Sequence, residues 1–350
     1  MSHGIRVKKL LDLMNTGGFD GLLISDPANV YYLSGFTGEG ILLITEKKPY
    51  LLTDPRFIEQ GARESPDFEI QSLPAEGWTS LTGTLARVGF ESAHVTYQRY
   101  QVWAQTLGVK LVPAPLLVEQ LRLIKDEEEI EKIRTAVRIG DEVFQDLLPK
   151  IRPGISERYL GMMIDHGLRV RGCEKEAFDT IVVSGRRSSL PHGRPTEKAL
   201  EVGDVVTFDF GGFYQNYAGD MTRTVVVGKS CARSRDIYSR VLEAQITGVE
   251  TVAPGRTCRE VDQAVRAVFA RNNLDRYFVH STGHGVGLRV HEAPSLSRKD
   301  ETILQEGMVI TVEPGLYIPG WGGVRIEDVV LVKGNGHEVL TGTSKDLMVM

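Results

Sequence analysis

Thiols are scarce in this sequence, and so are long apolar runs and blocks of like charge. Its 350 residues include three cysteines, Cys173, Cys231 and Cys258, an odd number with no C-x-x-C spacing. That argues against a disulfide framework or a thiolate zinc site and for a reducing compartment, so a cytoplasmic location is expected. No run approaches the ~20 apolar residues of a membrane span. The N-terminus interrupts its leucines with Arg6, Lys8, Lys9 and Asp12, which reads as an amphipathic helix rather than a signal peptide. The formal net charge is −5, and no basic stripe or charged arm marks a nucleic-acid partner. The helical metalloprotease signature H-E-x-x-H is missing too, because His291-Glu292 has no second histidine in place.

What is present is apolar sequence enough for two cores. A chain that is 41% hydrophobic over 350 residues predicts two domains at roughly 100–200 residues each. The first, residues 1–124, reads as α/β. Gly21–Ser25 predicts a strand, and Ile41–Thr45 with Tyr50–Thr53 predicts a hairpin. Asp54-Pro55-Arg56 opens a helical stretch, and Leu107–Val112 predicts another strand, punctuated by Pro113 and Pro115. The second domain, residues 125–350, begins with Asp126 three residues before Glu129, a capping box. Ile130, Ile133, Val137, Gly140, Phe144 and Leu147 follow with helical period until Pro149. The acidic run Asp126–Glu131 reads as a solvated helix start.

An internal repeat carries the chemistry. The segment from Gly203 to Asp209 reads like the segment from Gly307 to Glu313. Each places an acid six residues after a glycine, at the end of a β-branched strand. A glycine-rich turn follows each, at Gly211-Gly212 and from Gly315 to Gly323, and a second acid, Asp220 or Glu327, then opens a second strand. Two related hairpins facing each other across a pseudo-two-fold are expected. One acid at a strand end can be a turn residue or a cap. Four of them in a β-core repel one another strongly unless cations compensate. Two divalent ions balance four carboxylates, and one imidazole with bridging carboxylates suits a pair about 3.5 Å apart. An oxygen-rich, thiolate-free donor set favours Mn2+ and tolerates Co2+, Zn2+ or Fe2+.

His284 supplies the imidazole, between the two repeats, in the stretch Gly283–Gly287. A phosphate loop is disfavoured there: no Walker lysine follows, and Leu288–His291 reads as strand rather than helix. The flanking glycines read as close backbone approach to a metal site. A lone histidine is usually structural, but His280 and His291 lie four and seven residues from His284. His192 sits in a loop shaped by Pro191, Gly193 and Pro195.

At these residues the sequence closely resembles the pita-bread metallopeptidases, in particular the proline-specific branch of Xaa-Pro aminopeptidases and Xaa-Pro dipeptidases (prolidases). The resemblance rests on Val205–Thr224, His280–Pro294, Glu313–Tyr317 and Gly323–Asp328. Asn29–Gly38 is similar to the creatinase/prolidase N-terminal domain. The resemblance implies an α+β chain: a pita-bread catalytic domain preceded by a smaller α/β creatinase-like domain, in a homodimer. It implies two metal ions held by Asp209, Asp220, His284, Glu313 and Glu327, with Asp220 and Glu327 bridging and Glu313 also the general base. His192 and His291 would attend the substrate carbonyl and the tetrahedral intermediate, and His280 would line the pocket. Arg325 and Tyr317 would support the metal carboxylates, and Phe178 is a candidate wall for the proline ring.

The implied substrate is a peptide with proline at its second position. The bond before proline is a tertiary amide without the N–H that ordinary peptidases grip. One departure bears on substrate length. Some prolidases carry an arginine for the substrate's free carboxylate just after His-Glu-x-Pro. Here Ser295 stands at that place, with Arg298 three residues on. The expectation is therefore an aminopeptidase releasing the N-terminal residue from Xaa-Pro peptides, with a strict Xaa-Pro dipeptidase as the alternative. A complete ligand set argues against a non-catalytic peptide-binding protein.

Overall fold

The chain divides into two units, Met1–Arg122 and Leu123–Met350, in a computed structural model that describes residues 3–73 and 79–350. The first unit is built on a six-stranded sheet. Its order is Glu69–Ser72, Pro49–Thr53, Gly40–Thr45, Gly21–Ile24, Arg87–Phe90, Lys110–Pro113. The strand Gly21–Ile24 is buried along its whole length, pairing antiparallel with Gly40–Thr45 and parallel with Arg87–Phe90. A strand covered on both faces reads as a continuous apolar run rather than an alternating one. The expected hairpin is present, as is the helical stretch after Asp54, and the amphipathic first helix spans His3–Gly17. The last strand starts later than its sequence suggests. Leu107 closes the helix Tyr97–Thr106 by donating to Trp103 O, and Gly108 turns the chain at φ 64°. Asn29 is a structural residue of this unit. Its amide nitrogen donates to Glu91 and Glu119, and its oxygen accepts from Arg122.

The second unit repeats one pattern, two helices followed by a β-hairpin. Helices Glu127–Leu147 and Glu157–Val170 precede the hairpin Val205–Phe210 with Met221–Val226. Helices Ala232–Thr251 and Cys258–Arg271 precede the hairpin Val309–Val312 with Asp328–Lys333. The helix Glu127–Leu147 starts at a full capping box between Asp126 and Glu129. Its apolar stripe packs Val143, Phe144 and Leu147 against Val206, Phe208 and Phe210 of the first hairpin. The acidic start is not uniformly solvated, however. Glu129 is buried and accepts from Tyr217 at 2.9 Å, while Glu127, Glu128 and Glu131 face solvent.

The turns differ from expectation as well. After Gly211-Gly212 the chain reverses at Gln215 and Asn216, both at positive φ, between the paired Tyr214 and Tyr217. Two consecutive positive-φ residues match the right-handed strand twist, which is why such a pair closes a tight hairpin. The segment Leu288–His291, read as strand, follows a series of bends, and the strand proper is Glu292–Leu296.

Arg223 staples the two hairpins together. It is fully buried and donates to the carbonyls of Thr222, Glu327, Thr343 and Ser344 and, at 2.8 Å, to the buried carboxylate of Asp328. Gln245 and Lys345 complete the partners of Asp328. Removing one member of a buried ion pair leaves the other uncompensated, so Arg223→Ala is expected to destabilise the second unit by about 3–5 kcal/mol. Urea denaturation followed by circular dichroism measures this, and an unchanged midpoint would contradict it.

Candidate metal centre

The rigid ends of the hairpin strands carry the acids. Asp209 lies at the end of Val205–Phe210, and Asp220 immediately precedes Met221–Val226. Glu313 immediately follows Val309–Val312, and Glu327 immediately precedes Asp328–Lys333. His284 is the middle residue of the short strand Gly283–Gly285, which pairs with both Glu292–Leu296 and Val309–Val312. Ligand atoms of Asp220, His284 and Glu327 all fall within 4.8 Å of one another. His284 Nε2 is 3.3 Å from Glu313 Oε1 and 3.7 Å from Asp220 Oδ2. All five residues line one cleft of about 400 Å3. Phe178, His192, His280, His291, Tyr317 and Arg325 line the same cleft, so every candidate named from sequence is brought to it.

Left to protein groups alone, this nest is electrostatically uneasy. Burial, then the charges of Glu327 and Asp209, pushes Asp220 well above the usual carboxylate range. Burial and the neighbouring Glu313 and Asp209 do the same to Glu327. Burial raises Asp209 despite the opposing pull of Arg325. Burial also acts to raise Glu313, but the hydrogen bond and charge of His284 outweigh it and hold this carboxyl down to about 2. Burial acts to lower His284, and the same contact with Glu313 raises it on balance.

The surrounding hydrogen bonds leave the right atoms available. Asp209 Oδ2 accepts from Arg325 at 2.5 Å, while its buried Oδ1 has no hydrogen-bond partner. An orphaned buried carboxylate oxygen beside three other acids suits a cation. His284 Nδ1 lies 3.1 Å from Gly285 O, an acceptor only, so Nδ1 carries a proton and Nε2 is the atom turned toward the acids, 3.3 Å from Glu313, where it would offer its lone pair to a cation once deprotonated. A backbone carbonyl on the far ring nitrogen is the usual way a metal-binding imidazole is oriented. A second chain of bonds runs alongside. Arg325 donates to Tyr317 at 2.6 Å, Tyr317 donates to His280 Nε2 at 2.9 Å, and His280 Nδ1 donates to Ser281 O at 2.7 Å. Burial lowers His280, in keeping with the neutral ring this chain requires. The rings of His291 and His284 meet edge to face at 4.3 Å.

The glycines beside His284 are required by strand packing. A Cβ on Gly283 would sit 2.0 Å from Thr311 O, and one on Gly285 would sit 2.2 Å from Ala293 O. They admit the neighbouring strands that carry His284 to the acids. Sequence reasoning missed the threonines. Thr222 donates to Glu327 at 2.6 Å and accepts from Arg325 Nε at 3.1 Å, bridging the hairpins. Its signal was present, since it lies two residues after Asp220 on a strand and so faces the same side. Asp179 and Arg194, which also line the cleft, carried no such signal.

The model of metallopeptidase family M24 matches residues 131–334, and that of the creatinase/prolidase N-terminal domain matches residues 6–124. The chain belongs to metallopeptidase family M24. It is therefore an enzyme, a hydrolase whose sequence runs from a creatinase-like N-terminal domain to a pita-bread catalytic domain, and the family implies divalent metal ions that the donor set above fits. A curated relative named Xaa-Pro dipeptidase, from Pyrococcus horikoshii, is 39% identical over 98% of both chains. The solved structure of an Xaa-Pro dipeptidase from Bacillus anthracis is 39% identical, with a TM-score of 0.97 and complete coverage of both chains. The structure of an X-Pro aminopeptidase from Thermotoga maritima is 36% identical, with a TM-score of 0.89, covering 95% of this chain and 98% of that one. Among the described residues no helix is long and apolar enough to cross a membrane.

Stability should report the nest directly. A carboxyl raised above its ordinary value binds its proton more tightly folded than unfolded, so it stabilises at low pH and ceases to as pH rises. Asp209, Asp220 and Glu327 are raised and the raised His284 acts in the same direction, outnumbering His280 and His291, which burial lowers and which act in the opposite sense. Protein stripped of divalent ions is expected to lose melting temperature as pH rises above the ordinary carboxylate range, about 4, with most of that slope removed when ions are restored. Scanning calorimetry tests this, and a flat profile for stripped protein would count against the clustered acids.

Proposed function

We propose that this protein is an Xaa-Pro dipeptidase that uses two divalent ions, manganese foremost, held by Asp209, Asp220, His284, Glu313 and Glu327. The observation that carries the reading is the convergence, in a single cleft, of four acids and one imidazole whose Nδ1 is held by Gly285 O. The aminopeptidase reading rested on Ser295 in place of an arginine. The relatives named Xaa-Pro dipeptidase favour the dipeptide alternative. Arg298, three residues after Ser295, is exposed and is not among the residues lining the cleft.

Divalent cations in this nest would lower the pKa of a water from 15.7 toward about 7 and polarise the scissile carbonyl. Glu313 takes the proton of the attacking water, a role worth roughly 10²–10⁴ in rate. His192 and His291 face the substrate carbonyl, where an N–H donor stabilises the charge that develops on oxygen. The proline nitrogen leaves once protonated, and Glu313 returns the proton it took. Arg325 holds the assembly in register, with its donors committed to Asp209, Tyr317, Thr222 and Pro191 O. Phe178 offers an apolar wall for the proline ring.

Glu313→Gln should abolish turnover while circular dichroism stays native, and wild-type rates in that variant would refute Glu313 as the base. A chelator should abolish cleavage of Ala-Pro, with recovery on adding Mn2+. Ala-Pro should be cleaved in strong preference to Ala-Pro-Ala-Ala. Comparable rates on the two would restore the aminopeptidase reading.

A further inference from the structure

An Xaa-Pro dipeptide carries a carboxylate on its proline, and an enzyme that prefers it must meet that charge. This requirement rests on the dipeptidase reading. The described lining of the cleft contains two arginines, Arg325 and Arg194. Arg325 is buried, and its guanidinium is already engaged by Asp209, Tyr317, Thr222 and Pro191 O. It has no face to offer a substrate.

Arg194 is the reverse case. It lies two residues after His192, in the loop bounded by Pro191 and Pro195. Its backbone is anchored, because Arg187 donates to Arg194 O at 2.6 Å. Its side chain remains 81% exposed and pairs with Asp179, itself 73% exposed, at 2.6 Å. An ion pair so open to water contributes little to stability. One carboxylate can therefore replace another on this guanidinium at small cost, and the planar fork suits a carboxylate in two-point contact. Position agrees with this chemistry. Asp179 follows Phe178, the apolar wall, and Phe178, Asp179 and Arg194 also line an adjoining hollow of about 650 Å3. A proline ring resting on Phe178 would direct its carboxylate to the wall where Arg194 stands.

We propose that Arg194 is a specificity-determining residue that binds the proline carboxylate, and that Asp179 holds its place until substrate arrives. The two residues then act in opposite senses on the same substrate, which a merely structural ion pair would not do.

Steady-state kinetics on Ala-Pro and its C-terminal amide test this with the metal-loaded enzyme. Arg194→Ala is expected to raise KM for Ala-Pro about tenfold, against a change of about twofold or less for the amide. Arg194→Lys, which keeps the charge without the fork, should recover part of that loss. Asp179→Asn frees the guanidinium and should lower KM for Ala-Pro while leaving the amide unaffected. Equal losses on acid and amide, no recovery by lysine, or a raised KM for Ala-Pro in Asp179→Asn would each overturn the proposal. Wild-type activity on Ala-Pro with unaltered variants removes this inference alone. A wild-type enzyme inactive on both substrates removes the dipeptidase reading and this inference with it.

Discussion

Four carboxylates share a buried volume with one guanidinium, and the second unit is organised around that imbalance. Asp209, Asp220, Glu313 and Glu327 cannot all be charged at close range in a low-dielectric site unless positive charge joins them. Arg325 neutralises one side, by its bond to Asp209. Divalent cations, which the family implies, would relieve the remaining repulsion. The same constraint accounts for the rigid supports. Each acid stands at or beside a strand end, Thr222 ties Glu327 to the opposite hairpin, and Arg223 pins the backbone beneath Glu327. A nest of like charges without such supports would open toward solvent.

The two hairpins are related but not equivalent. In the first, Asp209 pairs across the ladder with Thr222, so Asp209 and Asp220 are offset diagonally. In the second, Glu313 and Glu327 each lie one residue beyond the paired Val312 and Asp328, and so stand opposite one another. This difference in register gives each acid a separate neighbourhood. Asp209 meets Arg325, whereas Glu313 meets His284. A repeat that had kept one register would place its acids in equivalent settings. Here four similar side chains acquire different charge preferences, as the proposed general base and its supporting ligands would require.

Much of this was legible along the chain, for reasons that are local. The capping box at Asp126, the buried strand at Gly21 and the duplicated Gly-to-acid spacing all depend on residues within one helical turn or one strand. The misreadings share an opposite cause. Glu129 looked like part of a solvated run because Tyr217, its partner, lies 88 residues away. The glycines around His284 gave no sign of their strand packing because nothing nearby in sequence announces the carbonyls of Thr311 and Ala293. Leu288–His291 has strand-forming residues, but its neighbours give it no ladder to join.

By itself the sequence determined which side chains could act as donors and that they come in duplicate, because strand alternation and cap chemistry are short-range. Its three cysteines have no metal-binding spacing, and none lines the cleft, whose candidate donors are oxygens and imidazoles. Tertiary structure alone decided which donors meet. Arg325 reaches Asp209 across 116 residues, Thr222 reaches Glu327 across 105, and Arg194 reaches Asp179 across 15. Contacts of that separation depend on how hairpins pack and on where a loop is anchored. No local propensity encodes either.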